Sequence, residues 1–424
     1  MKTRSRTFSI ITFGCKLNQY ESECIRESLE KMGWTFREFD EGAEYFIINS
    51  CTVTGKSDSR CRNAVRRARR SIPDSKIIVT GCYAETQPER LEIMNEVDLV
   101  IGNEGKDSIP SILCRIAGDG VSEHGNEPDP LIGEFRGHSR AFIKVQEGCN
   151  ASCTYCIVPI ARGRSRSIPS GRVKSQVERL AGNGYSEIVL TGIHIGRYGY
   201  DIEGETDLAG LIESILGEID GVRIRLSSIE INEVSDGLLE LISSTERIAP
   251  HLHIPLQSGD DTVLKAMCRP YDTALFERKI ERISSVSDRL GLGTDCIVGF
   301  PGETDGQFRN TYEMVNRLPF TYLHVFNYSK RPGTPAASMS GQIHPEVRKA
   351  RSKRLIKLGK KKRLSFMKSL IGRTEPALVQ GPPHQFSRFS IALAGNYCEV
   401  HIKRNADLSG KLLPVTISHY SRGR

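Results

Sequence analysis

Short apolar runs alternate with longer amphipathic stretches along most of this chain. From residue 8 to about 117, the β-branched runs Phe8 to Phe13, Tyr45 to Asn49, Lys76 to Thr80 and Leu99 to Gly102 are separated by helical patterns. Strands and helices in that alternation predict an open parallel α/β sheet. The segment from Asp119 to Gly137 is rich in Gly, Pro, Asp and Glu and reads as a linker after a first domain over 5–118. A second series begins at Ala141, with the runs AFIKVQEGC, EIVLTGIHI, RIRLSSIE, HLHIPLQSG, GTDCIVGFPG and YLHVFNYSK, each followed by a helical pattern. Six β/α units are too many for the first sheet to absorb. They predict a second parallel sheet over 138–370, closed or partly closed like an incomplete barrel. A basic helix from His344 to Leu370 ends it. The last stretch, 371–424, carries PALVQG, FSIALAG, YCEVHIK and LLPVTI between Gly and Pro turns, the pattern of a small β-barrel.

A length of 424 residues fits two or three domains and excludes a single small binding module. With 38% apolar and 26% charged residues, the chain is neither disordered nor fibrous. Its net charge of +8 is unevenly spread: Lys56 to Arg70 holds seven basic residues and one acid, Glu346 to Lys368 eleven and one. Clusters of this kind suit a polyanion, and nucleic acid is the commonest in a soluble protein. Behind the basic start at Lys2, Arg4 and Arg6, the apolar run Phe8 to Phe13 is too short for a signal peptide. No run approaches the ~18 apolar residues of a membrane helix. A cytoplasmic protein with no membrane partner is expected, in which the twelve cysteines stay reduced and serve as metal ligands, reactive thiols or small core residues.

Three of those cysteines, Cys149, Cys153 and Cys156, follow the first strand of the second series with the spacing CxxxCxxC. Three thiolates so close can cap three corners of one metal cluster, whereas a closed zinc site wants a fourth ligand nearby, and His194 is far off in sequence. A four-iron cluster held this way keeps one iron open for a small molecule, with Tyr155 able to pack on it. Cys15, Cys51 and Cys82 end the predicted strands ITFGC, IINSC and IVTGC. In an open parallel sheet those ends share one edge, so three thiols distant in sequence can converge there. The other six cysteines read as structural, among them Cys61 on the apolar face of an arginine-rich helix.

The segment CNASCTYC resembles the cluster motif of radical S-adenosylmethionine enzymes, and Gly148 to Ser167 is similar to the longer signature of the methylthiotransferases within them. The resemblance extends through LTGIHIGRYG, RLSSIE, HIPLQSGDD, TDCIVGFPGETD and SKRPGTPA. Pro159 to Ser167 is most similar to the branch that acts on threonylcarbamoyladenosine in tRNA. The end of the chain, GNYCEVHIK with LSGKLLPVTI, resembles the second half of the RNA-binding TRAM domain, without the acidic strand usual in its first half. Ile231, Asn327 and Cys268 also depart from the branch pattern, and none of them is a cluster ligand.

The resemblance implies two 4Fe-4S clusters: one on Cys149, Cys153 and Cys156 that binds S-adenosylmethionine, and an auxiliary one on Cys15, Cys51 and Cys82 that holds the sulfur. It places Tyr155, Thr191, Gly192, Glu230 and Gln257 around the cofactor, at strand ends where barrel sites are built. Arg162, Arg164 and Arg166 would hold phosphate or the substrate carboxylate, and Arg66, Arg67 and Arg70 would grip tRNA. The implied reaction replaces hydrogen by methylthio at carbon 2 of the modified adenine next to the anticodon. That bond offers acid-base catalysis nothing to work on, so a 5′-deoxyadenosyl radical is required. A small flavodoxin- or ferredoxin-like reductant and a sulfur donor are implied as partners, and DNA is not. The same machinery could act on isopentenyladenosine or a ribosomal-protein aspartate, and the rival of another class is an iron-sulfur RNA-binding protein without turnover.

Overall fold

The computed structural model describes residues 6–118, 131–381, 388–403 and 408–420. The first unit is a five-stranded sheet, parallel throughout, built from β1 (Thr7–Thr12), β2 (Thr35–Phe36), β3 (Tyr45–Ser50), β4 (Lys76–Gly81) and β5 (Leu99–Ile101) in the order β2-β1-β3-β4-β5. Alternate residues of β3 face opposite layers. Tyr45 and Ile47 pack with Ile25, Leu29 and Leu113, while Phe46 and Ile48 pack with Cys61, Val65 and Ala68. The two-residue β2 escaped the sequence reading, since so short an edge strand carries no periodicity.

Six further strands are β6 (Ala141–Lys144), β9 (Glu187–Thr191), β10 (Arg223–Leu226), β11 (His251–His253), β12 (Gly291–Val298) and β13 (Tyr322–Asn327). They form two parallel sheets, ordered β10-β9-β6 and β11-β12-β13, joined by the bridges Ile224 to Ile248 and Ser228 to His253. Spatial order thus follows chain order, as expected for successive β/α units. Between β6 and β9 lies a small antiparallel pair, β7 (Gln146–Glu147) with β8 (Arg166–Ser167), which brackets the CxxxCxxC loop. The helix Lys16–Lys31 is shared between the units: Ile25 and Leu29 pack under the first sheet, while Tyr20 and Cys24 enter the core of the second. One amphipathic helix with two apolar faces therefore fixes one unit on the other.

Four strands end the chain, β14 (Thr374–Val379), β15 (Phe389–Ala394), β16 (Glu399–Lys403) and β17 (Leu412–Thr416), as an antiparallel sheet ordered β16-β15-β14-β17. This sheet docks against the N-terminal ends of the six strands. Arg223 donates to the Pro376 carbonyl and Arg225 to the Gly395 carbonyl, both at 2.7 Å, while both arginines pair with the fully buried Glu187. Burial pushes the Glu187 carboxyl up, but the two guanidiniums outweigh it and hold it at about 2. Tyr397, in a left-handed turn at φ 69°, stacks on His251 with ring centres 4.6 Å apart.

The basic helix spans Pro345–Ser369 as read from sequence, burying Leu355, Leu358 and Gly359. Not all of its basic residues face outward, because Arg351 is buried on Glu303 at 2.6 Å. Of the segment read as a linker, 119–130 lies outside the described residues. Residues 131–137 are anchored instead of free, with Ile132 and Phe135 buried and the Ile132 amide bonded to Gln176. No described helix is long and apolar enough to cross a membrane.

Candidate functional site

Cys51 and Cys82 stand directly after β3 and β4, and Cys15 three residues past the last residue of β1, so all three follow the C-terminal ends of adjacent strands. Burial pushes the Cys15 and Cys51 thiols up, and the structure brings the three near enough that Cys82 adds to the rise of Cys15, and Cys82 and Cys15 to that of Cys51. The backbone must turn sharply to do this. Gly81, before Cys82, has φ 92°, and a Cβ there would lie 2.4 Å from the Ser50 carbonyl. The same device precedes the other set: Gly148 has φ 71°, and a Cβ would meet the Arg164 carbonyl at 1.9 Å.

The loop carrying Cys149, Cys153 and Cys156 is pinned from several sides. The Cys149 amide donates to the Gly163 carbonyl at 3.1 Å, the Thr154 amide to the Met267 carbonyl at 3.1 Å, and the Ala336 amide to the Thr154 carbonyl at 2.8 Å. Burial pushes the Cys156 thiol up to about 12 and raises Cys153 as well. Such thiols stay protonated and inert until a metal displaces the proton.

Both sets fit iron-sulfur ligation by the chemistry that surrounds the sulfurs. Arg269 donates to Cys153 Sγ at 3.1 Å, the Ala151 amide to Cys149 Sγ at 3.3 Å, and Asn103 Nδ2 approaches Cys82 Sγ at 3.9 Å. N–H groups aimed at sulfur are what a ligating thiolate needs, and neutral thiols would leave them poorly used. His194 Nδ1 lies 3.5 Å from Cys149 Sγ, with Nε2 at 2.8 Å from Glu233. Its distance in sequence concealed that contact. Arg269 also pairs with Glu230, so one guanidinium joins a cluster loop to a residue read as cofactor-binding.

A buried network joins the helix that follows Cys15 to the segment that follows Cys156. Arg162 is 4% exposed, and its guanidinium pairs with Glu21 and donates to Glu147 at 2.8 Å and Asn18 at 2.5 Å. Lys106 adds a second cation on Glu21 at 2.6 Å. Burial alone would raise the Glu21 carboxyl, but Lys106 and Arg162 hold it far below the usual range. This corrects the reading of Arg162 as a free hand for substrate: its charge is spent between the units. Arg164 and Arg166, two and four residues on, are exposed. A matching contact lies on the other side, where Arg331 of the SKRPGTPA motif meets the buried Asp58 at 2.7 Å and the Thr52 carbonyl at 3.1 Å. Sequence reasoning quoted that motif without finding its purpose.

Between the two loops lies a cavity of about 210 Å³ whose walls include Val53, Thr54, Tyr155, Cys156, Gln257 and Asp295. Thr191 and Gly192 close β9 nearby in the chain, and a Cβ on Gly192 would meet the Gln146 carbonyl at 2.7 Å. Arg66, Arg67 and Arg70 are exposed on the helix Gly55–Ser71, with Arg67 lying 4.4 Å over the Phe39 ring. A roomier depression of about 700 Å³ beside Gly133 and Ser409 contains no thiol. Of the six cysteines read as structural, Cys24, Cys61, Cys114, Cys296 and Cys398 are buried. Cys268 departs from that reading: it is exposed, in a left-handed turn at φ 54° just past the helix Asp261–Ala266.

Residues 143–315 match the Radical SAM superfamily, and residues 7–102 match a family described as Uncharacterized protein family UPF0004. The threonylcarbamoyladenosine tRNA methylthiotransferase MtaB of Bacillus subtilis is 36% identical, over 97% of this chain and 93% of its own. The chain belongs to the radical S-adenosylmethionine tRNA methylthiotransferase family. MtaB of Rickettsia prowazekii is 42% identical over 88% of this chain and 87% of its own, and a tRNA-2-methylthio-N(6)-dimethylallyladenosine synthase of Pelotomaculum thermopropionicum 33% over 97% and 95%. Among solved structures, the radical S-adenosylmethionine methyltransferase TsrM from Kitasatospora setae superposes with a TM-score of 0.58 at 14% identity, covering 78% of this chain and 75% of its own. That likeness speaks to the fold. Members of this family carry iron-sulfur clusters and use S-adenosylmethionine, which the sulfur environments above suit.

Breaking one partner of a buried ion pair costs about 3–5 kcal/mol, because the other charge stays buried alone. Arg331→Leu is therefore expected to lower stability by about that much, and the double change Arg331→Leu with Asp58→Leu to recover most of it. Denaturant unfolding of the single and double variants checks this. Equal losses in both would show that Arg331 acts through something other than Asp58.

Proposed function

We propose that this enzyme converts threonylcarbamoyladenosine at position 37 of tRNA to its 2-methylthio derivative. The observation that carries the reading is the pair of three-cysteine sets, one in each unit, with the buried cation of Arg162 lying beside Cys15 and Cys82 of one set and six residues past Cys156 of the other. A transfer that needs a radical source and a sulfur source within reach of one carbon calls for that arrangement. The higher identity to the MtaB proteins, 35–42% against 32–33% for the dimethylallyladenosine synthases, supports the threonylcarbamoyl branch.

In this reading Cys149, Cys153 and Cys156 hold one 4Fe-4S cluster and Cys15, Cys51 and Cys82 the other. When bound, the clusters and S-adenosylmethionine supply the one-electron chemistry and the sulfur that no side chain can. The chain's own residues position and exclude. Arg269 and the Ala151 amide stabilise negative sulfur, Glu230, Gln257, Thr191, Gly192 and Tyr155 shape the cofactor's surroundings, and Ile297 and Phe326 keep water from the cavity. Arg164 and Arg166 remain available for phosphate or the substrate carboxylate.

The six parallel strands are read as a partial (β/α)6 barrel and the C-terminal sheet as a TRAM-like RNA-binding barrel, the units being 5–118, 138–370 and 371–424. Electrons come from a small flavodoxin- or ferredoxin-like protein, sulfur from a separate donor, and the cytoplasm is the compartment where tRNA is met. Exposed arginines on the helix Gly55–Ser71, together with Lys349, Lys353, Lys357 and Lys361 on the helix Pro345–Ser369, make the tRNA face.

Nucleosides from the tRNA of cells lacking the gene are expected to lose the methylthio derivative of threonylcarbamoyladenosine. The intact gene should restore it and a Cys149→Ala copy should not. Mass spectrometry reads the result, and loss of the isopentenyl derivative in its place would move the enzyme to the other branch. Replacing Arg60, Arg66 and Arg70 together by glutamine is expected to weaken tRNA binding and to flatten the dependence of log K on log salt by about three contacts' worth, roughly 0.7–0.9 per contact. An unchanged slope would remove that helix from the interface.

A further inference from the structure

One side chain touches the CxxxCxxC loop without a part in binding cofactor or substrate: His194, in the loop after β9. Its Nδ1 lies 3.5 Å from Cys149 Sγ and its Nε2 2.8 Å from the Glu233 carboxylate. A sulfur that ligates iron can only accept, and so can an ionised carboxylate, so both ring nitrogens donate. His194 is then a charged N–H donor aimed at a ligand sulfur, and charged donors make bonds about twice as strong as neutral ones.

The neighbours fix that geometry. Arg197 donates to Glu233 Oε1 at 3.0 Å, and Glu233 packs so closely on the same loop that a Cβ on Gly196 would fall 2.4 Å from its Oε2. The buried Gln146 sets the other side. Its Oε1 accepts from the Ile193 and His194 amides at 3.1 and 2.7 Å, and its Nε2 donates to the Gly148 carbonyl at 2.8 Å. One side chain therefore places the backbone of His194 and the backbone next to Cys149 together. With both nitrogens engaged, the ring is a partner for the sulfur and not a fourth ligand in place of a cysteine. Cys153 has a charged donor of its own, Arg269 at 3.1 Å, which pairs with Glu230. Glu230 and Glu233 open and close the same short turn after β10, so one turn orients a cation onto each of two sulfurs.

We propose that His194, oriented by Glu233, is a positioning residue that raises the reduction potential of the cluster on Cys149, Cys153 and Cys156. The inference rests on the reading of those cysteines as 4Fe-4S ligands. Reduction brings one electron from the small reductant protein into the cluster, and no proton moves, since both N–H bonds stay on the ring. The added negative charge falls partly on the sulfurs, so a donor there stabilises the reduced form more than the oxidised one. Among the described residues, no hydrogen bond links His194 to Cys15, Cys51 or Cys82, so the effect belongs to one cluster alone.

Redox titration of the full-length, cluster-loaded protein, followed by electron paramagnetic resonance, tests this. Addition of S-adenosylmethionine to a reduced sample marks which signal belongs to the cluster on Cys149, Cys153 and Cys156. His194→Leu is expected to make that cluster about tenfold harder to reduce, a potential lower by about 59 mV for one electron, while the auxiliary signal titrates as before. His194→Gln, whose amide still donates to sulfur, should titrate between the two. An unchanged potential in His194→Leu overturns the proposal, as does an equal shift of both clusters, which is the mark of a merely structural role. If His194→Leu assembles no cluster at this site, Glu233→Gln carries the test. The ring then loses its anionic partner, the potential is expected to fall severalfold less far than tenfold in the equilibrium, and no fall at all overturns the proposal. A wild type without any signal that responds to S-adenosylmethionine would refute the cluster assignment itself, whereas a responsive cluster with an unmoved potential refutes only the part given to His194.

Discussion

Two buried carboxylates, Glu21 and Asp58, govern how the first sheet sits on the second, and everything at the candidate site depends on that placement. Each lies on a helix that begins within a few residues of an auxiliary cysteine, Cys15 for Glu21 and Cys51 for Asp58. Each is met by an arginine from the other unit, Arg162 and Arg331 respectively. Pairs of this kind add little net stability, since desolvation consumes most of the Coulomb gain. Their value here is directional. A shift of a few ångströms would leave a carboxylate buried without its cation, so the units have one low-energy arrangement.

The thiols reach the edges of their sheets because strand ends and glycines deliver them. Adjacent parallel strands end side by side, and the chain must leave each end at once to place a side chain on the sheet's edge. Gly81 and Gly148 make this possible through backbone angles and close approaches that any Cβ would forbid. The same local rule thus serves both units, although one set of ligands is contiguous in sequence and the other is spread over three strands.

Much of this was legible in the chain. Parallel α/β order followed from the alternation of apolar runs, and the six ligand candidates stood out because strand-end cysteines and CxxxCxxC are local patterns. What failed was whatever depends on partners far away in sequence. Arg162, Arg164 and Arg166 look alike in RGRSR, yet the first is buried on Glu21 while the others face solvent. HLHIPL reads as ordinary strand alternation, and nothing in it reveals that both histidines point into one hydrogen-bonded chain with Tyr322 and Asp295. Cys268 reads as a helical position but falls in the left-handed turn that ends its helix.

The third unit completes the logic by occupying the opposite end of the strands. Glu187 and Arg223 open their strands, Arg225 follows two residues on, and the three spend their charges on one another and on the carbonyls of Pro376 and Gly395. The C-terminal sheet therefore covers the N-terminal ends and leaves the C-terminal ends, where the cysteines are, uncovered. The helix Gly55–Ser71 begins four residues after Cys51 and carries exposed arginines along its length. A polyanion held on that helix is already beside the cavity. Charge that attracts a large ligand and thiols that define the reactive centre are thus joined through one short, rigid element, and Arg331 on Asp58 fixes that element to the rest of the protein.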